Sequence, residues 1–256
     1  MAPPAPRTTL LWPVVAPLAL VVVWAGVAWA QVFPPSLFPH PWDVARGVWF
    51  ELSSGRLVID AVASLFRVSA GFMLAVLLGV PAGLLLGHSA RARAAFLPLV
   101  NFFRSLSPLA WIPFAILWLG IGDAPAIFLI FMAAFFPIVL STAAAVANIP
   151  SVFFRVARDL GIDGPALLTG VTLPAIAPQV ITALRVAAGL SWLVVVAAEM
   201  IAGRDGLGFA VWDARNGLRI DLLAAAMLAI GVIGAALDRL LMQLTRIPSV
   251  RWGYER

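Results

Sequence analysis

Polar residues capable of chemistry are few in this sequence, and they fall in three places. Arg104 is followed by Ser105, Ser107, Pro108 and Pro113. Each proline removes a backbone donor and breaks a helix's hydrogen-bond ladder, and a broken helix at membrane depth is tolerated where it lines protein or a watery path. A cation and two hydroxyls at such a break suit the passage of an anion. Arg185 and Glu199 share a second apolar stretch, 14 positions apart. On one helix that is nearly four turns, so they share a face but stand about 21 Å apart and cannot pair. The third place runs from Asn148 to Pro178, where Ser151, Gly161 and Gly164-Pro165 punctuate two short helices joined by a turn. Ser151 is placed to cap a helix ending near Leu160, Gly161 to end it in a left-handed turn, and Pro165 to open the second. Arg155 and Asp159, four apart, face each other on the first helix, a pair worth about 0.2–0.5 kcal/mol. From spacing alone, the segment is equally a capped surface hairpin without a partner.

Bond-making chemistry has little to build on. The chain has no Cys, its only imidazoles are His40 and His88, and all 17 of its basic residues are Arg. Thiolate nucleophiles, disulfides and Schiff bases are excluded, and a triad or a His-ligated metal has almost no material. Without Lys there is no GxxxxGK[ST] phosphate loop, so the chain cannot bind ATP in that way. No catalytic residue, metal or cofactor is expected. The net charge of +5 comes from Arg scattered between apolar runs, which argues against a nucleic-acid partner and for orientation in a lipid bilayer.

The elements that must position these residues follow from composition. Of 256 residues, 62% are hydrophobic and 11% charged, against about a quarter charged in a soluble domain. A hydrocarbon core of about 30 Å needs about 20 apolar residues per helix. Six runs qualify, at about 10–30, 61–87, 96–119, 124–147, 176–202 and 222–244. Backbone groups in lipid must pair within the segment, so the fold class is an all-α membrane protein with six transmembrane helices in a single domain, 1–256. The first run, with Arg7 before it and Ala28-Trp29-Ala30 at its end, also fits a cleaved signal peptide, but it exceeds the usual apolar length and is read as the first span. Arg91 and Arg93 place the link at 88–95 in the cytoplasm, and the link at 120–123, which has no Arg, outside. Both termini are then cytoplasmic. Arg246, Arg251 and Arg256 agree, whereas Arg204, Arg215 and Arg219 fall in an outer loop.

Several lesser features refine that layout. Pro34, Pro35, Pro39 and Pro41 force a turn after the first span, and Trp42, Ala45, Val48, Trp49 and Leu52 then share one face of a short helix on the outer membrane surface. Arg67 and Arg104 lie near span ends, where such side chains snorkel to the headgroups; Arg104 is the stronger candidate for the path. Glu199 faces a pore or a second subunit, or has reached headgroup depth. Trp111, Trp118 and Trp192 line the path or pack. Gly71, Gly79, Gly83 and Gly87 make a small-residue stripe suited to close helix packing or to a sliding helix.

The segment Arg155-Val156-Ala157, three residues, Gly161, nine residues, Val171, one residue, Leu173-Pro174 has the spacing of the EAA signature, E-A-A-x3-G-x9-I-x-L-P. It resembles the permease subunits of bacterial ABC importers. Ser64-Leu65-Phe66-Arg67 with Gly71-Phe72, the stretch from Ile116 to Gly122, Ala198-Glu199-Met200, Gly206-Leu207-Gly208-Phe209, Asp213-Ala214-Arg215 and Arg251-Trp252 are similar to the aliphatic sulfonate, taurine and nitrate branch, and most closely to the sulfonate permeases. The signature's Glu is Arg155 here.

That resemblance implies a homodimer in the bacterial inner membrane, two cytoplasmic ABC ATPase subunits and an extracytoplasmic substrate-binding protein. It implies that 148–175 is the coupling segment, with Arg155, Val156, Ala157, Gly161, Asp163, Gly164, Val171, Leu173 and Pro174 facing the ATPase. The translocation path falls to Arg104, Ser105, Ser107, Pro108, Arg185 and Glu199. The cargo is an aliphatic sulfonate, or else taurine, nitrate or another small organic anion. From another class, an ion-driven secondary transporter would show inverted repeats and paired broken helices, whereas one span is strongly proline-broken and no second half matches the first.

Overall fold

The computed structural model describes residues 12–34 and 37–244. Arg7, Pro35, Ser36, Arg246, Arg251, Trp252 and Arg256, used above for orientation and resemblance, lie outside the described residues. All regular structure among the described residues is helical. In chain order it comprises α1 (Trp12–Trp29), α2 (Pro41–Ser53), α3 (Arg56–His88), α4 (Ala90–Ser105), a 3-10 turn (Pro108–Trp111), α5 (Ile112–Leu119), α6 (Asp123–Ala147), α7 (Ser151–Asp159), α8 (Gly164–Leu167), a π turn (Leu168–Thr172), α9 (Leu173–Ala202), α10 (Leu207–Asn216) and α11 (Ile220–Leu244).

By length and apolarity α3, α6, the unit from α8 to α9 and α11 can each cross a membrane, and the bent pair α4 and α5 is a fifth candidate; α1 is a shorter apolar helix. α6 is the hub. It is apolar all round, as a helix enclosed by others must be, and it packs most extensively against α3 and α9. The glycine stripe of α3 makes the first contact close. A Cβ would stand 2.7 Å from the Ile127 carbonyl at Gly71, 2.5 Å from Thr142 Cβ at Gly83 and 2.5 Å from Val146 Cβ at Gly87. The stripe is therefore a packing seam within one subunit. Gly83→Ala should cost about 1–3 kcal/mol by overpacking and lower the unfolding midpoint of the detergent-solubilised protein. Gly189→Ala, where nothing lies within 4 Å, should leave it unchanged or raise it. Equal midpoints for both variants would contradict the seam.

Three expectations are corrected. The third run is not one rod: α4 and the unit from Pro108 to Leu119 meet at 86°. Pro108 pushes its predecessor into the extended region, and Leu106 and Ser107, with ψ of 130° and 128°, form the corner. The second short helix of the 148–178 segment does not stand apart, because α8 runs through the π turn into α9 as one unit of 39 residues. At 1.5 Å per residue that is about 58 Å, far more than a bilayer core, so part of it projects beyond. Finally, Ser151 is the first helical residue of α7, and the cap position is Pro150, without a side-chain hydrogen bond.

The link between α3 and α4 is the single residue Ser89, whose Oγ accepts from the Ala92 N–H. Arg93 donates to the Leu86 and Gly87 carbonyls at 3.0 and 2.7 Å, satisfying the end of α3. His88 meets Phe154 of α7 edge-on, with ring centroids 5.9 Å apart. The Ser89 corner and α7 thus occupy the same end of the bundle. α2 packs across the start of α11, where Gly47 lets it approach the Asp221 carbonyl; Trp42 and Trp49 remain exposed.

Candidate functional site

Polar side chains collect at three depths of the bundle. At the middle, a cavity of about 430 Å³ opens between α4, α6 and α9. Its depth follows from α6: Phe136, the fourteenth residue of 25, lies on its wall and stacks on Phe103 with centroids 5.9 Å apart. Arg104, the next residue along α4, also lines it. Its guanidinium makes no ion pair or hydrogen bond with any described residue. A cation on a transmembrane helix near the bilayer centre costs about 2.5–3.5 kcal/mol. An Arg left unpaired there has water or a ligand for company. In the isolated chain the Arg104 side chain is exposed at the rim of this cavity.

Of the other path candidates, Pro108 lines the same cavity and Ser105 and Ser107 do not. The Ser105 hydroxyl donates to the Asn101 carbonyl in its own helix. Arg185 is held by Asp238 of α11 at 2.9 Å. Trp192 packs between helices and donates to the Ile230 carbonyl, while Trp111 and Trp118 belong to an aromatic row along the broken span. Sequence reasoning missed Ser141, which enters the cavity from α6.

Glu199 is part of a different structure, at the end of the bundle opposite α7. It is 1% exposed, near the end of α9. One carboxylate oxygen accepts from Arg67 Nη1 at 2.7 Å; the other accepts from Ser64 Oγ at 2.8 Å and from the Gly208 N–H at 2.9 Å. Arg67, 2% exposed, also donates to Asp123 Oδ1 at 2.7 Å, to the Asp205 carbonyl at 2.9 Å and to the Asp205 carboxylate. Asp60 accepts from the Gly206 N–H, and Ser64 Oγ accepts from the Leu207 N–H, both at 2.9 Å. Gly206, at φ +102°, is forced to be glycine twice over, since a Cβ would also stand 2.5 Å from the Glu199 carboxylate. At Gly208 a Cβ would be 2.3 Å from the Val196 carbonyl. The cluster staples α3, the start of α6, the end of α9 and the loop leading to α10.

The snorkelling expected of Arg67 is thus corrected, since its guanidinium is buried and paired, and Glu199 is enclosed by the same cluster and faces no open space in this chain. The signal was present: Asp60, Ser64 and Arg67 recur at i, i+4 and i+7, one face of a helix otherwise rich in apolar residues.

At the α7 end, Gly161 has φ +69° and Gly164 φ +52°, so the chain turns through two left-handed residues before α8. The N–H groups of Gly161 and Ile162 donate to the Arg158 and Ala157 carbonyls. Ala157 is buried against the body. Val152, Phe153, Val156 and Leu160 leave an exposed apolar face, each close to or above half exposed. Arg155 is exposed beside them and makes no ion pair with Asp159. Val171 and Pro174 line a cleft of about 640 Å³ against the α6–α7 corner, Leu173 is partly exposed, and Asp163 lies in a neighbouring cleft with His88 and Arg158.

A family model described as binding-protein-dependent transport system inner membrane component matches residues 75–249. The taurine transport system permease protein of Escherichia coli K12 is 34% identical over 233 residues, covering 89% of this chain and 84% of the relative. The bicarbonate transport system permease protein of Synechococcus elongatus is 40% identical over 188 residues, 73% of this chain and 68% of the relative. The nitrate import permease protein of a Synechocystis species is 34% identical over 233 residues, 89% and 85%. Among solved structures, an inward-facing methionine ABC transporter matches with a TM-score of 0.58 at 21% identity, covering 81% of this chain and 98% of that one, a likeness of fold.

Proposed function

The chain belongs to the family of inner membrane components of binding-protein-dependent transport systems, and on that premise we propose that it is the membrane subunit through which an ATP-driven importer passes small organic anions, aliphatic sulfonates first among them. The observation that carries this reading is the unpartnered Arg104 at mid-span, beside a helix broken at Leu106–Ser107. Relatives named for taurine, bicarbonate and nitrate support small anionic or zwitterionic cargo.

The rest of the machine is read as follows. Two copies form the pathway, two cytoplasmic ATPase subunits drive it, and an extracytoplasmic binding protein delivers cargo. α7 and the turn that follows are the coupling element: Arg155, Val156, Gly161, Asp163 and Gly164 meet the ATPase, Ala157 seats α7 on the body, and Val171, Leu173 and Pro174 lie behind them. The exposed apolar face of α7 supports this, being uncovered among the described residues. Arg155, in the signature's Glu position, asks for an acidic or neutral site on the ATPase. The α7 end is cytoplasmic, as are both termini. Arg91 and Arg93 in the short corner support that orientation, and at the other end Arg56, Arg67 and Arg219 are each tied to carboxylates. ATP binding closes the ATPase pair, α7 carries the motion to the spans, and the pathway switches its open side.

Gly161→Val tests the coupling role. Nothing lies within 4 Å of a Cβ there, so the penalty is purely conformational, about 1–2 kcal/mol for a left-handed β-branched residue. The variant should insert and bind the ATPase, yet lose most substrate-stimulated ATP hydrolysis. Normal stimulation would show that this turn transmits nothing. Purified alone, the chain should neither bind nor hydrolyse ATP, for want of a phosphate loop.

A further inference from the structure

The walls of the mid-span cavity say more about the cargo than its charge. Around Arg104 stand Phe103, Phe136, Met132, Leu140 and Val194, and Ser141 alone adds another polar side chain. The Ser141 hydroxyl has no partner among the described residues. The lining includes no Asp or Glu. Arg185, Arg67 and their carboxylates are engaged with one another elsewhere. From this copy of the chain, a ligand in the cavity therefore meets one cation, one free hydroxyl and an apolar, partly aromatic wall.

Each cargo chemistry in question fares differently there. A small inorganic anion such as nitrate or bicarbonate would surrender its hydration to Arg104 and gain nothing from the wall, because it has no apolar surface to bury. Taurine brings an ammonium, and a cation taken out of water without a counter-charge is costly; no carboxylate lines the cavity to receive it. An anion with a hydrocarbon body satisfies both halves. Its head takes the guanidinium and the hydroxyl through charge-assisted hydrogen bonds, and each buried CH₂ adds about 0.8 kcal/mol. A volume of about 430 Å³ is within the range of small-ligand pockets.

We infer that the Arg104–Ser141 cavity is a cargo-selecting subsite for organic anions that carry an apolar body and no ammonium, such as alkyl or aryl sulfonates and carboxylates. The inference rests on the proposed transport role, and Arg104 is its anion-recognising residue. Selection is then shared between the permease and whatever delivers the cargo.

The test uses the full-length permease with its ATPase in lipid nanodiscs, without nucleotide or binding protein. Radiolabelled butane-1-sulfonate, taurine and nitrate are the probes, with ATP-driven uptake in vesicles measured in parallel. Butane-1-sulfonate should bind at least tenfold more tightly than taurine or nitrate. Arg104→Gln should weaken it at least tenfold, Arg104→Lys should restore part of the loss, and Ser141→Ala should weaken it a few-fold. Equal binding of taurine and butane-1-sulfonate would overturn the inference. So would butane-1-sulfonate binding unchanged in Arg104→Gln, which would mark the cavity as a slot for any apolar tail, lipid chains included. If binding fails these criteria while ATP-driven uptake persists, the subsite is wrong and the transport reading stands. If ATP drives no uptake, the transport reading itself falls.

Discussion

Glu199→Ala should destabilise the folded chain by about 3–5 kcal/mol, the cost of breaking a buried ion pair by removing one member. Arg67 would keep Asp123 and Asp205, but both are about half exposed, so they screen a guanidinium that is itself shielded from water less well than Glu199 does. The change also strips acceptors from Ser64 and the Gly208 N–H, and unmade buried hydrogen bonds carry their own penalty. Little of the protein should survive detergent extraction as a monodisperse species. Glu199→Gln keeps the shape and one acceptor oxygen and should lose clearly less. Pairing Glu199→Ala with Arg67→Met in a double-mutant cycle should give a coupling of about 1–3 kcal/mol. Additive losses would show that the two side chains stabilise the fold independently and that the staple is misread.

Arg104→Glu should abolish uptake while sparing assembly. Like charges placed face to face cost up to several kcal/mol, and 1.4 kcal/mol is a factor of ten. Uptake per assembled complex should fall at least about 100-fold. Assembly should persist because Arg104 has no partner to lose among the described residues. Measured uptake per correctly assembled complex separates this from a stability effect. A rate within a factor of two of the parent protein would remove Arg104 from the pathway.

The two variants differ in a way that bears on what the sequence discloses. The apolar runs that became α3, α6, α9 and α11 were legible as spans because the bilayer sets their length, and the break beside Arg104 was legible because two prolines follow it within nine residues. The size of the bend at Leu106–Ser107 was not: prolines announce a break but leave its direction to packing. The continuity of α8 with α9 was hidden because Pro174 and Pro178 follow the junction closely and each removes a backbone donor, while a π turn lets the backbone absorb the misfit. Arg67 was misjudged because its partners lie 56, 132 and 138 residues away in sequence. Only its register with Asp60 and Ser64 gave notice.

The staple also changes the weight of the family resemblance. Ala198-Glu199-Met200 and Gly206-Leu207-Gly208, two of the stretches that carry the resemblance, form a buried ionic and glycine contact at one end of the bundle. They speak to how the fold is held together. What passes through is better argued from the walls of the mid-span cavity.

The central claim is that this chain conducts cargo only when ATP is hydrolysed by a separate subunit. Its most direct test is uptake of a labelled alkanesulfonate into vesicles containing the permease, with and without its ATPase and binding protein. Uptake should require all three components and ATP, and should persist when ionophores collapse the ion gradients. Accumulation by the permease alone, driven by an imposed proton or sodium gradient, would contradict the account.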